Sequence, residues 1–170
     1  MAQKAMISCV KPRLYVGNLS AASSIRVLKL FRVKRVVTVI KDRLLHSAPD
    51  KSFYRKLGIE QKVFPIFDDA FNVKSKKAAV SKDLLPWIME AEKENLPILV
   101  HCVAGASRST SLVITYLMWK YKMSFEGAYL TVCNEHPLTN PNPYVLSSFL
   151  ACINKKLPAW YEKTYPLYNP

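Results

Sequence analysis

Short apolar runs alternate with amphipathic stretches along most of the chain. "RLYVG", residues 13–17, alternates and stops at Gly17, which predicts a short strand. "SSIRVLKLF", 23–31, places apolar residues at 25, 27, 28 and 31, as a short helix does. "RVVTVI", 35–40, is continuous and β-branched and reads as a buried strand. "SFYRKL", 52–57, predicts a helical segment ending near Gly58. "QKVFPIF", 61–67, is a third strand, with Pro65 limiting its ladder pairing.

A polar stretch, "DDAFNVKSK", precedes "SKDLLPWIMEAEKEN", 81–95, which reads as a helix. Pro86 is tolerated there if Asp83 is the N-cap, because no N–H is needed in the first turn. "PILVH", 97–101, is a fourth strand, and "SRSTSLVITYLMWKYK" is a long apolar helix. Two further helices follow: one opening on Ser124, the other running from about Pro143 to Lys155. The Pro- and Tyr-rich end, "LPAWYEKTYPLYNP", reads as loosely packed or disordered. Strands alternating with helices, then a run of helices, argue for an α/β arrangement in which helices cover a central sheet.

Composition narrows the picture. At 170 residues the chain fits one domain with a sizeable core. Its 25 Lys and Arg against 12 acidic residues give a formal charge of +13, which favours polyanionic partners: phosphorylated protein, phosphoinositide, RNA or an anionic membrane surface. The four cysteines, Cys9, Cys102, Cys133 and Cys152, form no C-x-x-C or zinc spacing, so no metal or other cofactor is expected. "MAQKAMISCV" lacks the apolar core of a secretory signal, and no lipidation box or membrane-length apolar run is evident. Reduced thiols and a cytoplasmic or nuclear location are therefore expected.

The chemistry concentrates in "LVHCVAGASRST", 99–110. A buried strand feeding a glycine-containing loop and then a helix is an arrangement that binds phosphate at the helix N-terminus. It puts Cys102 at the carboxyl end of a strand, where open α/β sheets hold their ligands. If the loop wraps on itself, the amides of Val103, Ala104, Gly105, Ala106 and Ser107 converge into an anion nest. Arg108 offers a planar fork for two phosphoryl oxygens. A thiol aimed into that field loses its proton readily and becomes a nucleophile toward phosphorus. Ser109 is placed to hydrogen-bond the sulfur as it leaves, and His101 to orient the loop and cysteine through its ring N–H.

"HCVAGASRS" resembles the signature loop of the dual-specificity branch of the cysteine-dependent protein tyrosine phosphatases, and every fixed place of that pattern is met. The resemblance runs over about residues 10–155. "LYVGNLSAASS" is similar to the family's first strand and turn. "AYLTVCNEHPLTNPNPYVLSSFL" is similar to its late helix-loop-helix, with Pro141-Asn142 at the family's Pro-Asn. His136 stands where the family often has Arg, and Ser148 where it often has Gln; both places imply support behind the loop or packing, affecting fine geometry and not the chemistry.

The resemblance implies an α/β domain (α+β by some schemes) with a central, mixed but mainly parallel sheet of about five strands flanked by helices. It divides the chain into an N-terminal segment 1–9, a catalytic domain 10–155 and a tail 156–170. It also implies a phosphoprotein phosphatase acting on phosphotyrosine and phosphoserine/threonine through a phosphocysteine on Cys102. Arg108 binds phosphate in that mechanism, Asn142 supports the loop, and an Asp on the loop after the third strand is general acid. Alignment favours Asp68 over its neighbour Asp69, and one of the two can instead close an Asx turn.

The alternatives keep the same chemistry on phosphoinositide or RNA 5′-phosphate, or retain only phosphate binding as a scaffold. "GASRS" differs from the Gly-Phe-Asn-Arg-Thr type of RNA-acting relatives. His46 and His136 read as solvated or core residues. Cys9, Cys133 and Cys152 read as packing thiols, although one of them pairing with oxidised Cys102 stays open. Lys29, Arg32, Lys34 and Arg35 form either a solvated helix face or a docking cluster. Lys74, Lys76 and Lys77 follow the acid loop and are candidates to flank the cleft. The aromatic tail with Trp160, Tyr161, Tyr165 and Tyr168 reads as packing.

Overall fold

The computed structural model describes residues 4–40, 46–66 and 73–164, with backbone alone at Val73 and Lys74. The chain starts with a hairpin, β1 (Ile7–Lys11) and β2 (Leu14–Gly17), paired antiparallel. Pro12 suits the first turn position, and Arg13 takes the left-handed conformation at the second (φ 68°). β1 was not legible as a strand, because "ISCVK" mixes polar and apolar residues without clean alternation.

Two short helices follow where one was predicted: α1 (Leu19–Ser23) and α2 (Ile25–Leu30). Ser24 divides them. Its extended backbone ends α1, while its hydroxyl accepts from Val27 N and caps α2. Next come β3 (Arg35–Ile40), α3 (Lys51–Lys56) and β4 (Glu60–Pro65). Asp50 caps α3 at one end, and Gly58 turns the chain at the other with φ 66°. Pro65 is accommodated because β4 lies at the sheet edge.

The helix before the fourth predicted strand departs from expectation. It begins as α4 (Val73–Ala78), widens into a π-helical stretch over Ala79–Leu84 and continues as α5 (Leu85–Lys93). Asp83 is therefore not an N-cap: it lies inside the widened stretch and pairs with Lys62 on β4. Leu85 N–H reaches back to Val80 O, five residues away. The following Pro86, which has no N–H, sits in the first turn beyond that wide one.

β5 (Ile98–His101) leads through the glycine loop into α6 (Arg108–Tyr121), then α7 (Phe125–Glu135) and α8 (Pro143–Cys152). The end of the chain is not loose as far as it is described. α9 (Ala159–Thr164) buries Tyr161 completely, and its ring meets Phe125 and Tyr129 edge-on. Local composition hides this, because the aromatic face is complete only once α7 is beside it.

The strand order is β1-β2-β5-β3-β4, with β2, β5, β3 and β4 mutually parallel. Side chains alternate across this sheet. Leu14, Val16, Val37, Val39, Ile98 and Val100 face the larger core with Leu85, Ile88, Leu112, Leu117 and Phe149. Val36 and Leu99 face a smaller core with Leu28, Tyr54 and Ile59. The sheet thus carries α1–α3 on one face and the later helices on the other. β5 lies at its centre, so the loop after His101 opens at the carboxyl ends of parallel strands where the strand order reverses.

Candidate active site

Strand register builds the floor of the site. His101 lies opposite Gly17 on one side and Thr38 on the other. Its Nε2 is 2.9 Å from Thr38 Oγ1, and Gln61 Nε2 donates to that same oxygen at 2.9 Å. A carbonyl only accepts, so His101 Nδ1–H donates to Cys102 O at 3.2 Å, and the unprotonated Nε2 accepts from the Thr38 hydroxyl. Complete burial drives the His101 pKa from 6.5 down to about 4, outweighing the contact with Cys102 O, which raises it. His101 is therefore a neutral donor to the Cys102 carbonyl.

The loop from Cys102 to Ser107 is fixed by its carbonyls. Cys102 O accepts from His101 Nδ1–H, and Val103 O accepts from Leu19 N at 3.0 Å. Gly105 O lies 2.9 Å from His136 Nε2, and Ala106 O accepts from Asn140 N at 2.8 Å and from the Thr110 hydroxyl at 2.6 Å. A planar trans peptide points its N–H opposite to its carbonyl. With these four carbonyls bonded, the N–H groups of Val103, Ala104, Ala106 and Ser107 point away from those partners. Gly105 N–H points at Cys102 Sγ from 3.2 Å.

Cys102 is almost completely buried, and Ser109, fully buried on the first turn of α6, holds its hydroxyl 3.3 Å from the sulfur. A cavity of about 390 Å³ opens over the loop and is lined by Cys102, Ala104, Ala106, Arg108, Asn142 and Val145 among others. Partial burial lowers the Arg108 pKa below its ordinary value, and the neighbouring Cys102 offsets part of that. Arginine stays charged under such shifts. Asn142 works twice: its N–H donates to Ser107 Oγ at 2.8 Å, and its side-chain oxygen caps α8. Behind it, the buried Tyr161 hydroxyl donates to Pro141 O at 2.9 Å.

Cys102, Arg108, Ser109, His101, Asn142 and the loop residues Val103 to Ser107 thus meet in one place. Asp68 and Asp69 lie outside the described residues, as does the Lys74 side chain. The other lysines of that run are engaged elsewhere: Lys76 sits over the Phe64 ring, and Lys77 donates to Asn154. Arg35 leaves the basic cluster. It is buried at the start of β3, pairs with Glu60, Glu90 and Glu94, and lies over Trp87.

Sequence reasoning missed Asn18 and Ser8. Asn18 is buried, caps α1 through Ala21 N and binds Met6 N and Lys4 O. An asparagine after a strand-ending glycine was a usable N-cap signal. Ser8 carries no local signal at all.

A thiol facing an amide and a hydroxyl thus lies beneath a cavity lined by an arginine, at the end of a parallel strand. Residues 14–154 match the dual specificity phosphatase, catalytic domain family, and the chain belongs to it. Among curated proteins it is 30% identical over 135 residues to Dual specificity protein phosphatase 1 of Arabidopsis thaliana, covering 79% of this chain and 63% of that protein. It is 28% identical over 148 residues to Dual specificity protein phosphatase Mpk3 of Drosophila melanogaster, covering 87% of this chain but 34% of that protein. The chain thus spans less than two thirds of these relatives. Among solved structures, the fold is similar to human tyrosine phosphatase-like serine/threonine/tyrosine-interacting protein (TM-score 0.70, 20% identity, 94% of this chain and 97% of that one). It is also similar to PTPMT1 in complex with PI(5)P (TM-score 0.70, 18% identity, 84% and 91%).

Proposed function

We propose that the chain hydrolyses phosphate monoesters on proteins, at phosphotyrosine and phosphoserine/threonine, through a phosphocysteine on Cys102. The observation carrying this is the convergence of Gly105 N–H and Ser109 Oγ on one buried sulfur at 3.2 and 3.3 Å. Loop amides and the Arg108 fork take the phosphoryl oxygens, Cys102 Sγ attacks phosphorus, and the bond to the leaving oxygen breaks. Asp68 gives that oxygen its proton. Water then attacks the phosphocysteine and loses its proton to the Asp68 carboxylate. The P–S bond breaks with Ser109 hydrogen-bonded to the departing sulfur, and inorganic phosphate leaves.

A second reading keeps these steps and changes the substrate to a phosphoinositide. The +13 charge and the fold shared with a protein solved in complex with PI(5)P favour it. p-Nitrophenyl phosphate turnover by wild type, Cys102→Ser and Asp68→Ala tests the chemistry, and trapping from lysate against phosphoinositide arrays separates the substrates. Full activity of Cys102→Ser would overturn the mechanism. A weaker effect of Asp68→Asn than of Asp69→Asn would transfer the acid to Asp69.

A further inference from the structure

Gly105 is the left-handed residue of the loop, with φ 77°. A peptide flanking glycine turns over at little cost, because no Cβ opposes it. Something outside the loop must therefore decide which way the Gly105–Ala106 peptide faces, and His136 is the group in contact. It is fully buried at the end of α7, with Nε2 2.9 Å from Gly105 O and Nδ1 2.8 Å from Ser8 Oγ. A carbonyl only accepts, so Nε2 carries the proton and Nδ1 accepts from the Ser8 hydroxyl.

Burial lowers the His136 pKa, which agrees with this neutral form. Ser8 belongs to β1, opposite Val16. The same N-terminal arm holds Asn18 through Lys4 O and Met6 N, and the next residue, Leu19, holds Val103 O.

On the phosphatase reading above, we infer that His136 is a positioning residue and Ser8 the group that sets its tautomer. Together they hold Gly105 O outward and Ala106 N–H toward the bound phosphoryl group. The N-terminal strand is then part of the phosphate site although it contributes no atom to the cavity.

The test compares His136→Phe, His136→Gln and Ser8→Ala in the full chain. Readouts are kcat and KM for p-nitrophenyl phosphate, inhibition by inorganic phosphate, calorimetric binding of inorganic phosphate, and melting temperature. His136→Phe should lower kcat by roughly 30- to 100-fold and weaken phosphate inhibition in parallel. His136→Gln, which retains a donor, should recover to within about fivefold of wild type, and Ser8→Ala should fall between. His136→Phe within about twofold of wild type, or His136→Gln as impaired as His136→Phe, would overturn the inference. If His136→Phe does not fold, unchanged phosphate inhibition in Ser8→Ala overturns it. A wild type that binds inorganic phosphate but turns over no ester defeats the phosphatase reading instead, and the binding measurements alone then decide the role of His136.

A separate feature lies at the opposite end of the sheet. A groove of about 440 Å³ between the ends of α2 and α3 is ringed by Lys29, Arg32, Lys34 and Lys56 over a floor that includes Val33 and Leu57. The four cations are exposed, and among the described residues none forms an ion pair. Helix C-termini favour Lys29 and Lys56, in the last turns of α2 and α3, but Arg32 and Lys34 lie beyond α2 and gain nothing from it.

We propose that this groove docks an acidic protein segment carrying one apolar anchor residue. Charge complementarity selects the acid, and the concave apolar floor accepts a side chain where a bilayer surface cannot enter. The groove is about one strand length, ~20 Å, from the end carrying Cys102, so docking leaves the catalytic mouth open.

A fluorescent Glu-rich peptide with a central Leu, its Leu→Ser counterpart and phosphatidylserine vesicles serve as probes. The triple variant Lys29→Glu/Arg32→Glu/Lys34→Glu should lose peptide affinity about tenfold or more, with unchanged p-nitrophenyl phosphate turnover. Equal affinity of the variant, equal binding of the Leu→Ser peptide, or groove-dependent binding of vesicles alone would overturn the proposal.

Discussion

A β-carbon on Gly105 would lie 2.9 Å from both the carbonyl carbon and the oxygen of Gly17. Gly105 also has φ 77°, so the two constraints act on one atom. The clash is with backbone and cannot be relieved by a rotamer change. Gly105→Ala should therefore cost on the order of 2–4 kcal/mol from strain and overpacking together. Turnover should fall by roughly a hundredfold, because the loop amides move with it. Urea unfolding and kcat/KM check both, and an alanine variant with wild-type turnover would contradict the account of the loop.

His101 makes stability pH-dependent. Its pKa is about 4 when folded against 6.5 ordinarily, so between these values the unfolded chain binds more protons. The contribution of His101 is complete above about pH 6.5 and is lost as pH falls through 4. At 1.36 kcal/mol per pH unit this is on the order of 3 kcal/mol. The stability difference between wild type and His101→Gln, from urea midpoints, should shrink by that order between pH 7 and 4. A constant difference would exclude His101 as the source.

Arg108→Lys keeps the charge and loses the fork. A lysine presents a point charge and cannot take two phosphoryl oxygens in one plane. The expected result is a rise in KM and a fall in kcat of about two orders of magnitude, with an unchanged melting temperature. Steady-state kinetics with p-nitrophenyl phosphate checks it; near-normal kcat in Arg108→Lys would assign the phosphate grip to the loop amides alone.

Arg35 ties β3 to β4 and α5 and is remote from the sulfur. Its three carboxylate partners are more than half exposed, so removing Arg35 leaves no buried counter-charge. Arg35→Met should destabilise by about 1–2 kcal/mol through lost hydrogen bonds and the contact on Trp87. The catalytic constants should not change. A loss of activity without loss of stability would place Arg35 in the reaction.

The loop around Cys102 was legible because its residues are contiguous. Cys102, Gly105, Arg108 and Ser109 lie within eight consecutive positions, and strand-loop-helix patterning places them without tertiary information. β3, β5 and the helices from α6 to α8 were legible for a similar reason, since apolar spacing and the caps Ser124 and Asn142 are local signals. β1 and the division of α1 from α2 were not. The first depends on a partner strand, and the second on one serine whose hydroxyl could equally have faced solvent.

By itself, then, the sequence determined which residues compose the loop around Cys102 and that a parallel strand delivers them to a helix. Tertiary structure alone decided what holds that loop in shape. Its carbonyls are tied to Leu19, His136 and Asn140, and Ser8 stands 128 positions from His136. The physical reason is the reach of the signals. Helix and strand preferences act over a few residues, whereas an outward-facing carbonyl must find a donor wherever the packed sheet brings one.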